Sequence, residues 1–232
     1  MKNHPRNLMR PIGLPSSASR PVVTPLSPSV VYASEGPNML DAQYEGRLRG
    51  YTYAREGHPN ADALARLIDD LEGAQDGIVL GSGMAAVSAA LLGVLEAGDH
   101  IIGSDQLYGR SLRLLKEDLP RLGIDTSLVD TTQADCVVAA QRPNTKMILI
   151  EAVSNPTLRV ADLTGIADWT AEKQVILAVD NTFTTPKAIR PFDFGADIVI
   201  HSVTKLLAGH SDVTLGYVAA KDLGLRDKIY TF

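Results

Sequence analysis

A single lysine, Lys205, stands in the run Ser202-Val-Thr-Lys-Leu-Leu-Ala-Gly-His-Ser-Asp212, directly after the apolar segment Ala196 to Ile200. A lysine at the end of a buried strand lies near the interior, where desolvation can lower its pKa and free the amine for Schiff-base chemistry. The hydroxyls of Ser202 and Thr204 beside it suit a phosphate. A second anion site is written in Leu80-Gly-Ser-Gly-Met84. This is a strand, a glycine turn and a helix start, whose free N–H groups and dipole favour negative charge. Asp180 closes another apolar run in Val179-Asp-Asn-Thr-Phe183. A carboxylate there is costly unless paired, and a protonated ring nitrogen would pair it. Tyr108, in Asp105-Gln-Leu-Tyr-Gly109, follows a third such run and can stack on a planar ring or exchange a proton. An amine, two phosphate-binding elements, a nitrogen partner and an aromatic plate together describe a site for pyridoxal phosphate (PLP).

These residues must be brought together by a scaffold, and the pattern of apolar residues says which. From Asn60 the chain alternates helix and strand. Asn60 can cap a helix with apolar positions at Leu64, Leu67, Ile68 and Leu71, ending at Gly73. Strands are expected at Gly77–Leu80, His100–Gly103, Ile124–Val129, Lys146–Glu151, Gln174–Asp180, Ala196–Ile200 and Leu215–Ala219. Helices are expected at Met84–Leu95, Ser111–Leu122, Ala134–Gln141 and Leu163–Glu172. Apolar strands alternating with helices predict an α/β fold, a mostly parallel sheet with helices on both faces. Ligands of such sheets sit at the carboxyl ends of the strands, where Glu151, Asp180 and the Ser202–Lys205 turn all fall.

The chain before Asn60 is of another kind. Its first 37 residues hold 7 of the 13 prolines, with no sustained period of 2 or 3.6. Such an arm cannot build its own core and is expected to run over another surface. Bulk properties narrow the classes further. The 232 residues are 45% apolar and 21% charged, enough for a sizeable core. A net charge of −5 without a basic run argues against nucleic acid. The single cysteine, Cys136, allows neither an intrachain disulfide nor a cysteine-built metal site, and fits a cytoplasmic protein. No apolar run reaches 18 residues, so no membrane span is expected, and no apolar segment follows the basic N-terminal residues to make a signal peptide.

The constellation resembles the Cys/Met-metabolism PLP enzymes, the transsulfuration group of cystathionine γ-synthase, cystathionine lyases, methionine γ-lyase and homoserine-ester sulfhydrylases. The Ser202–Asp212 run carries the resemblance most specifically, with Tyr51-Thr-Tyr-Ala-Arg-Glu-Gly57 and Glu151-Ala-Val-Ser-Asn-Pro-Thr157 in support. It implies the large domain of the aspartate-aminotransferase-like (fold type I) PLP enzymes at 60–232, preceded by an arm, 1–59, that serves a neighbouring subunit's site. By the same resemblance Lys205 holds the cofactor and moves the proton, Asp180 pairs with the ring nitrogen, and Tyr108 stacks on the ring. Gly83 and Met84, with Ser202 and Thr204, hold the phosphate. Asn155 lies near the ring hydroxyl and substrate, and Glu151 matches a further site residue. Tyr53 and Arg55 reach the phosphate of the neighbouring subunit, an arginine fork suiting phosphate oxygens. Family enzymes continue into a smaller C-terminal domain whose arginine grips the substrate carboxylate. None of the 232 residues takes that role, so the small domain is expected to be absent. The implied partners are amino-acid substrates and further copies of the chain, in a homodimer or homotetramer with shared sites. The implied reactions are β- or γ-elimination and γ-replacement on sulfur-containing or activated homoserine amino acids. The Ser154-Asn-Pro-Thr157 segment points to γ-chemistry. The alternative is a truncated chain that binds PLP without turnover.

Overall fold

The computed structural model describes residues 17–232; the first 16 residues of the Pro-rich arm lie outside the described residues. From Pro25 onward the arm is strapped along the segment that leads to the first long helix. Tyr32 N donates to Thr52 O at 3.0 Å, and Ala54 N donates to Val30 O at 2.8 Å. Asn60 clasps the arm with both ends of its amide, Nδ2 donating to Pro25 O and Oδ1 accepting from Ser27 N, each at 2.8 Å. A short helix that the apolar pattern does not announce, α1 (Pro37–Tyr44), interrupts the arm. Its proline sits in the first turn, where the missing N–H would have had no helical partner.

Helix α2 (Pro59–Glu72) corrects two details of the sequence reading. Its cap is His58, whose Nδ1 accepts from Asn60 N at 3.2 Å, because the Asn60 side chain is already engaged with the arm. Its buried stripe is Ala65, Ile68, Asp69 and Glu72, while Leu67 and Leu71 are exposed. Two carboxylates therefore point inward, where an apolar pattern cannot look for them. The helix stops at Gly73, whose φ of 71° is the left-handed cap conformation that glycine adopts without strain.

The rest alternates. In order come β1 (Ile78–Leu80), α3 (Gly83–Leu92), β2 (His100–Ser104), α4 (Gly109–Arg113), a π turn (Leu114–Asp118), α5 (Leu119–Arg121) and β3 (Asp125–Val129). Then follow α6 (Ala134–Ala139), β4 (Thr145–Glu151), α7 (Leu163–Lys173), β5 (Ile176–Asp180), α8 (Thr185–Ala188), a 3₁₀ turn (Pro191–Phe194), β6 (Ile198–His201), β7 (Gly216–Ala220) and α9 (Leu223–Thr231). The expected helix at Ser111–Leu122 is thus three joined pieces. Pro120 has no N–H to give to the carbonyl four residues back, and the helix widens in the turn before it. Helix α3 ends at Leu92 rather than Leu95. A Cβ on its cap residue, Gly93, would lie 2.8 Å from Lys228 O and 2.9 Å from Ile229 Cα, so α9 crosses there at backbone contact.

The seven strands form one sheet in the order β1-β7-β6-β5-β4-β2-β3. Strands β2 to β6 pair in parallel, and β7 is antiparallel to both β6 and β1, so the sheet is mostly parallel as expected. Alternate residues serve opposite faces. Met147, Leu149, Ala178, Ile198 and Ile200 pack with α3, α4 and α9; Ile148, Ile150, Leu177, Val179 and Val199 pack with α6 and α7. Because both faces are covered, β4 to β6 read as continuous apolar runs. Parallel register sets Glu151 of β4 beside Asp180 of β5.

Candidate functional site

At the carboxyl ends of β4, β5 and β6 opens a cavity of about 930 Å³. It is lined by Gly83, Met84, Tyr108, Glu151, Asn155 and Asp180, and by the Ser202–Lys205 turn through Ser202, Thr204 and Lys205. Every residue that the sequence assigns to the chain's own site therefore faces one space. Tyr53 and Arg55 do not line it; both are exposed, with the Arg55 guanidinium carbon 4.7 Å from the centre of the Tyr53 ring.

One side of the cavity is made for an anion. Ser82 caps α3, its hydroxyl accepting from Ala85 N at 3.0 Å, and among the described residues the N–H groups of Gly83 and Met84 have no partner. The Ser202 hydroxyl comes close against them. A Cβ on Gly83 would lie 2.5 Å from Ser202 Cβ and 2.9 Å from Ser202 Cα, so only glycine lets the β6 turn approach the helix start. Thr204 also lines the cavity, but its hydroxyl donates to Leu215 O at 3.1 Å and accepts from Leu215 N at 2.9 Å. That hydroxyl ties the lysine turn to the start of β7.

The opposite side carries two carboxylates. Burial pushes the Asp180 carboxyl above its ordinary range; hydrogen bonds from Thr182 and the nearby His201 act against that rise. Among the described residues no lysine or arginine pairs with Asp180; Thr182 N donates to its Oδ1 at 3.0 Å. Burial, and then the charge of Asp180, push Glu151 up to about 7. Glu151 accepts from Tyr108 N at 2.6 Å, which fixes the aromatic residue at the head of α4. Tyr108 itself is half exposed and turned to the cavity.

Lys205 departs from one expectation. It is exposed, because the turn after β6 projects into the open cavity rather than into the core. Among the described residues its Nζ has no hydrogen-bond or ion-pair partner, so the amine is free for a ligand.

Behind the cavity lies a polar group that the sequence reading passed over. The Glu72 carboxylate, fully buried, accepts from Asn181 Nδ2 at 2.9 Å and from His201 Nε2. Thr182 Oγ1 accepts from Ser202 N at 2.7 Å, a second tie between the ends of β5 and β6. The only signal in the sequence was position: Asn181, Thr182 and His201 are the chain neighbours of Asp180 and Ser202.

The donor set fits PLP. A buried carboxylate without a cation suits a protonated ring nitrogen, a free amine suits an aldehyde, and two unbonded N–H groups at a helix start suit a phosphate. The family model for Cys/Met metabolism PLP-dependent enzymes matches residues 14–232.

The chain belongs to this family.

It is 45% identical over 181 residues to cystathionine gamma-lyase of Bacillus subtilis (strain 168), covering 77% of this chain and 48% of the relative. It is 43% identical over 180 residues to cystathionine beta-lyase MetC of the same strain, covering 78% and 46%. A solved structure of a putative O-acetylhomoserine (thiol)-lyase from Campylobacter jejuni superposes with a TM-score of 0.85 at 29% identity, covering 90% of this chain and 51% of that one. That protein carries N'-pyridoxyl-lysine-5'-monophosphate. The chain spans about half the length of the curated relatives it matches. Among the described residues no helix is long and apolar enough to cross a membrane.

Proposed function

We propose that the protein is a PLP-dependent enzyme that performs β- or γ-elimination, or γ-replacement, on amino acids with sulfur or an activated oxygen at Cβ or Cγ. The convergence of Lys205, Asp180, Tyr108 and the free N–H groups of α3 on one cavity carries this reading. Bound PLP would supply an electron sink for the charge left at the substrate Cα. Lys205 Nζ would hold the aldehyde carbon and, once free, take the Cα proton. Asp180 would keep the ring nitrogen protonated. Tyr108, anchored by Glu151, would form the plate against which the ring lies. Gly83, Met84 and Ser202 would take the phosphate, with Thr204 holding the turn that bears Lys205, and Asn155 would face the substrate side. Tyr53 and Arg55, exposed and outside their own cavity, would serve the site of a second copy. The arm would then belong to a shared site, in a homodimer or a tetramer of such dimers.

A γ-lyase and a β-lyase stand at 45% and 43% identity, so likeness does not separate the two positions of bond breaking. The Ser154–Thr157 segment remains the ground for preferring γ-chemistry. The cavity of the described residues has no arginine in its wall to hold a substrate carboxylate. That observation favours a second reading for the 232-residue chain alone, binding of PLP without turnover. The test is to add PLP and then cystathionine, methionine, cysteine or an acyl-homoserine, and to follow the visible spectrum and keto-acid release. Release from any of them supports the first reading, and release from methionine or an acyl-homoserine supports the preference for γ-chemistry. A spectral change from PLP without release supports the second, and no change with PLP refutes both.

A further inference from the structure

We propose that Glu72, which touches neither the cavity nor any residue of the proposed mechanism, is the positioning residue for the cofactor cradle. The inference rests on the PLP reading above. Its ground is where one oxygen, Glu72 Oε1, sends its hydrogen bonds. It accepts from Asn181 Nδ2 at 2.9 Å and from His201 Nε2. Asn181 directly follows Asp180 at the end of β5; His201 directly precedes Ser202 at the end of β6. A side chain from α2, a helix with no residue in the cavity wall, thus grips the immediate neighbours of the proposed nitrogen partner and of a proposed phosphate ligand. Further bonds fix the same point. Asn181 Nδ2 also donates to Ile189 O at 3.0 Å, Thr184 Oγ1 donates to Asn181 Oδ1, and Asn181 N donates to Ile200 O at 2.9 Å. The distance between the ring end and the phosphate end of the cradle is set where β5 and β6 emerge, and Glu72 clamps both strands there.

Packing alone does not call for this arrangement. Glu72, Asn181 and His201 are all fully buried, and among the described residues Glu72 Oε2 and His201 Nδ1 have no partner. Burying a carboxylate and an unpaired nitrogen is costly, and an apolar side chain of similar volume is often neutral or stabilising in such a place. An apolar side chain cannot hold two donors from two strands in fixed register. The same helix contains its own contrast. Asp69, nearly one turn earlier and also buried, accepts from Tyr217 Oη at 2.5 Å and from Gly77 N at 3.1 Å. Neither of those residues adjoins a cavity-lining position in the chain.

The experiment compares four variants of the 232-residue protein by PLP dissociation constant, by the visible circular dichroism of bound PLP, and by thermal midpoint. Glu72→Leu should weaken PLP at least tenfold, about 1.4 kcal/mol, and change the dichroism. Glu72→Gln, which keeps Oε1 as an acceptor for both donors, should restore binding to within roughly threefold of the parent. Tyr217→Phe should lower the midpoint and leave the PLP constant and dichroism as in the parent. His201→Phe keeps a ring in the same space and removes the β6 arm together with the charge effect of His201 on Asp180; it should weaken PLP in the same direction, and parent-like binding in it overturns the proposal if Glu72→Leu does not fold. Parent-like PLP binding and dichroism in a folded Glu72→Leu or His201→Phe protein overturns the proposal. So does a loss in Tyr217→Phe as large as in Glu72→Leu, since that would mark a general effect of stability. A parent protein that retains no PLP refutes the proposed function itself, and the positioning role falls with it.

Discussion

Glu151 offers a test that needs no substrate. Its carboxyl is raised from 4.5 to about 7, by burial first and by the neighbouring Asp180 second. The folded protein therefore holds a proton on Glu151 that the unfolded chain has already lost between those two pH values. The stabilisation from that proton is full below about pH 4.5 and is lost as pH rises through 7. The rise corresponds to roughly 3 kcal/mol, an upper value because the cavity admits water. Gln resembles the protonated acid in shape and keeps an oxygen for Tyr108 N, the bond seen at 2.6 Å. In the PLP-free protein, Glu151→Gln should equal the parent in stability near pH 4 and exceed it by roughly 2–3 kcal/mol at pH 8. Urea denaturation followed by Trp169 fluorescence at both pH values measures the difference. An offset that does not change with pH would refute the reasoning, because it would place the titration of Glu151 in its ordinary range.

Asp180→Ala should retain PLP poorly, and Asp180→Asn should retain it while exchange of the substrate Cα proton falls by orders of magnitude; normal exchange in the Asn variant would remove Asp180 from its proposed role. Mixing Lys205→Ala with Arg55→Ala chains should restore PLP binding at one of the two sites in mixed dimers, and a mixture no better than either variant alone would contradict a site shared between copies.

The fold was legible where local pattern and tertiary demand agree. All seven strands fall within a few residues of their expected places because apolar runs such as Ile148–Ile150 and Leu177–Val179 are buried on both faces. Errors came where a distant partner decides. Asn60 reads as a helix cap, but the arm takes its side chain and leaves the cap to His58. Leu67 and Leu71 read as the inner face of α2, but Asp69 and Glu72 are inside because Tyr217, Asn181 and His201 meet them there. The helix α9 was missed although Asp222 caps it, its Oδ1 accepting from Leu225 N at 2.9 Å; its docking against α3 through Gly93 is not a local signal. The candidate site was legible residue by residue, since chemistry-bearing groups at strand ends are local signals. The engagement of Thr204 with Leu215 was not, because its partner lies eleven residues away, just before β7. The exposure of Lys205 was not either, since it depends on the width of a cavity built from several segments.

The central claim is that the Lys205 amine holds the cofactor, and it can be read directly. The protein is incubated with PLP, reduced with borohydride, digested and mapped by mass spectrometry. The account predicts a pyridoxyl phosphate label on the peptide that contains Lys205, and its loss in Lys205→Ala. A label on another lysine, or an unchanged label in the variant, would contradict it.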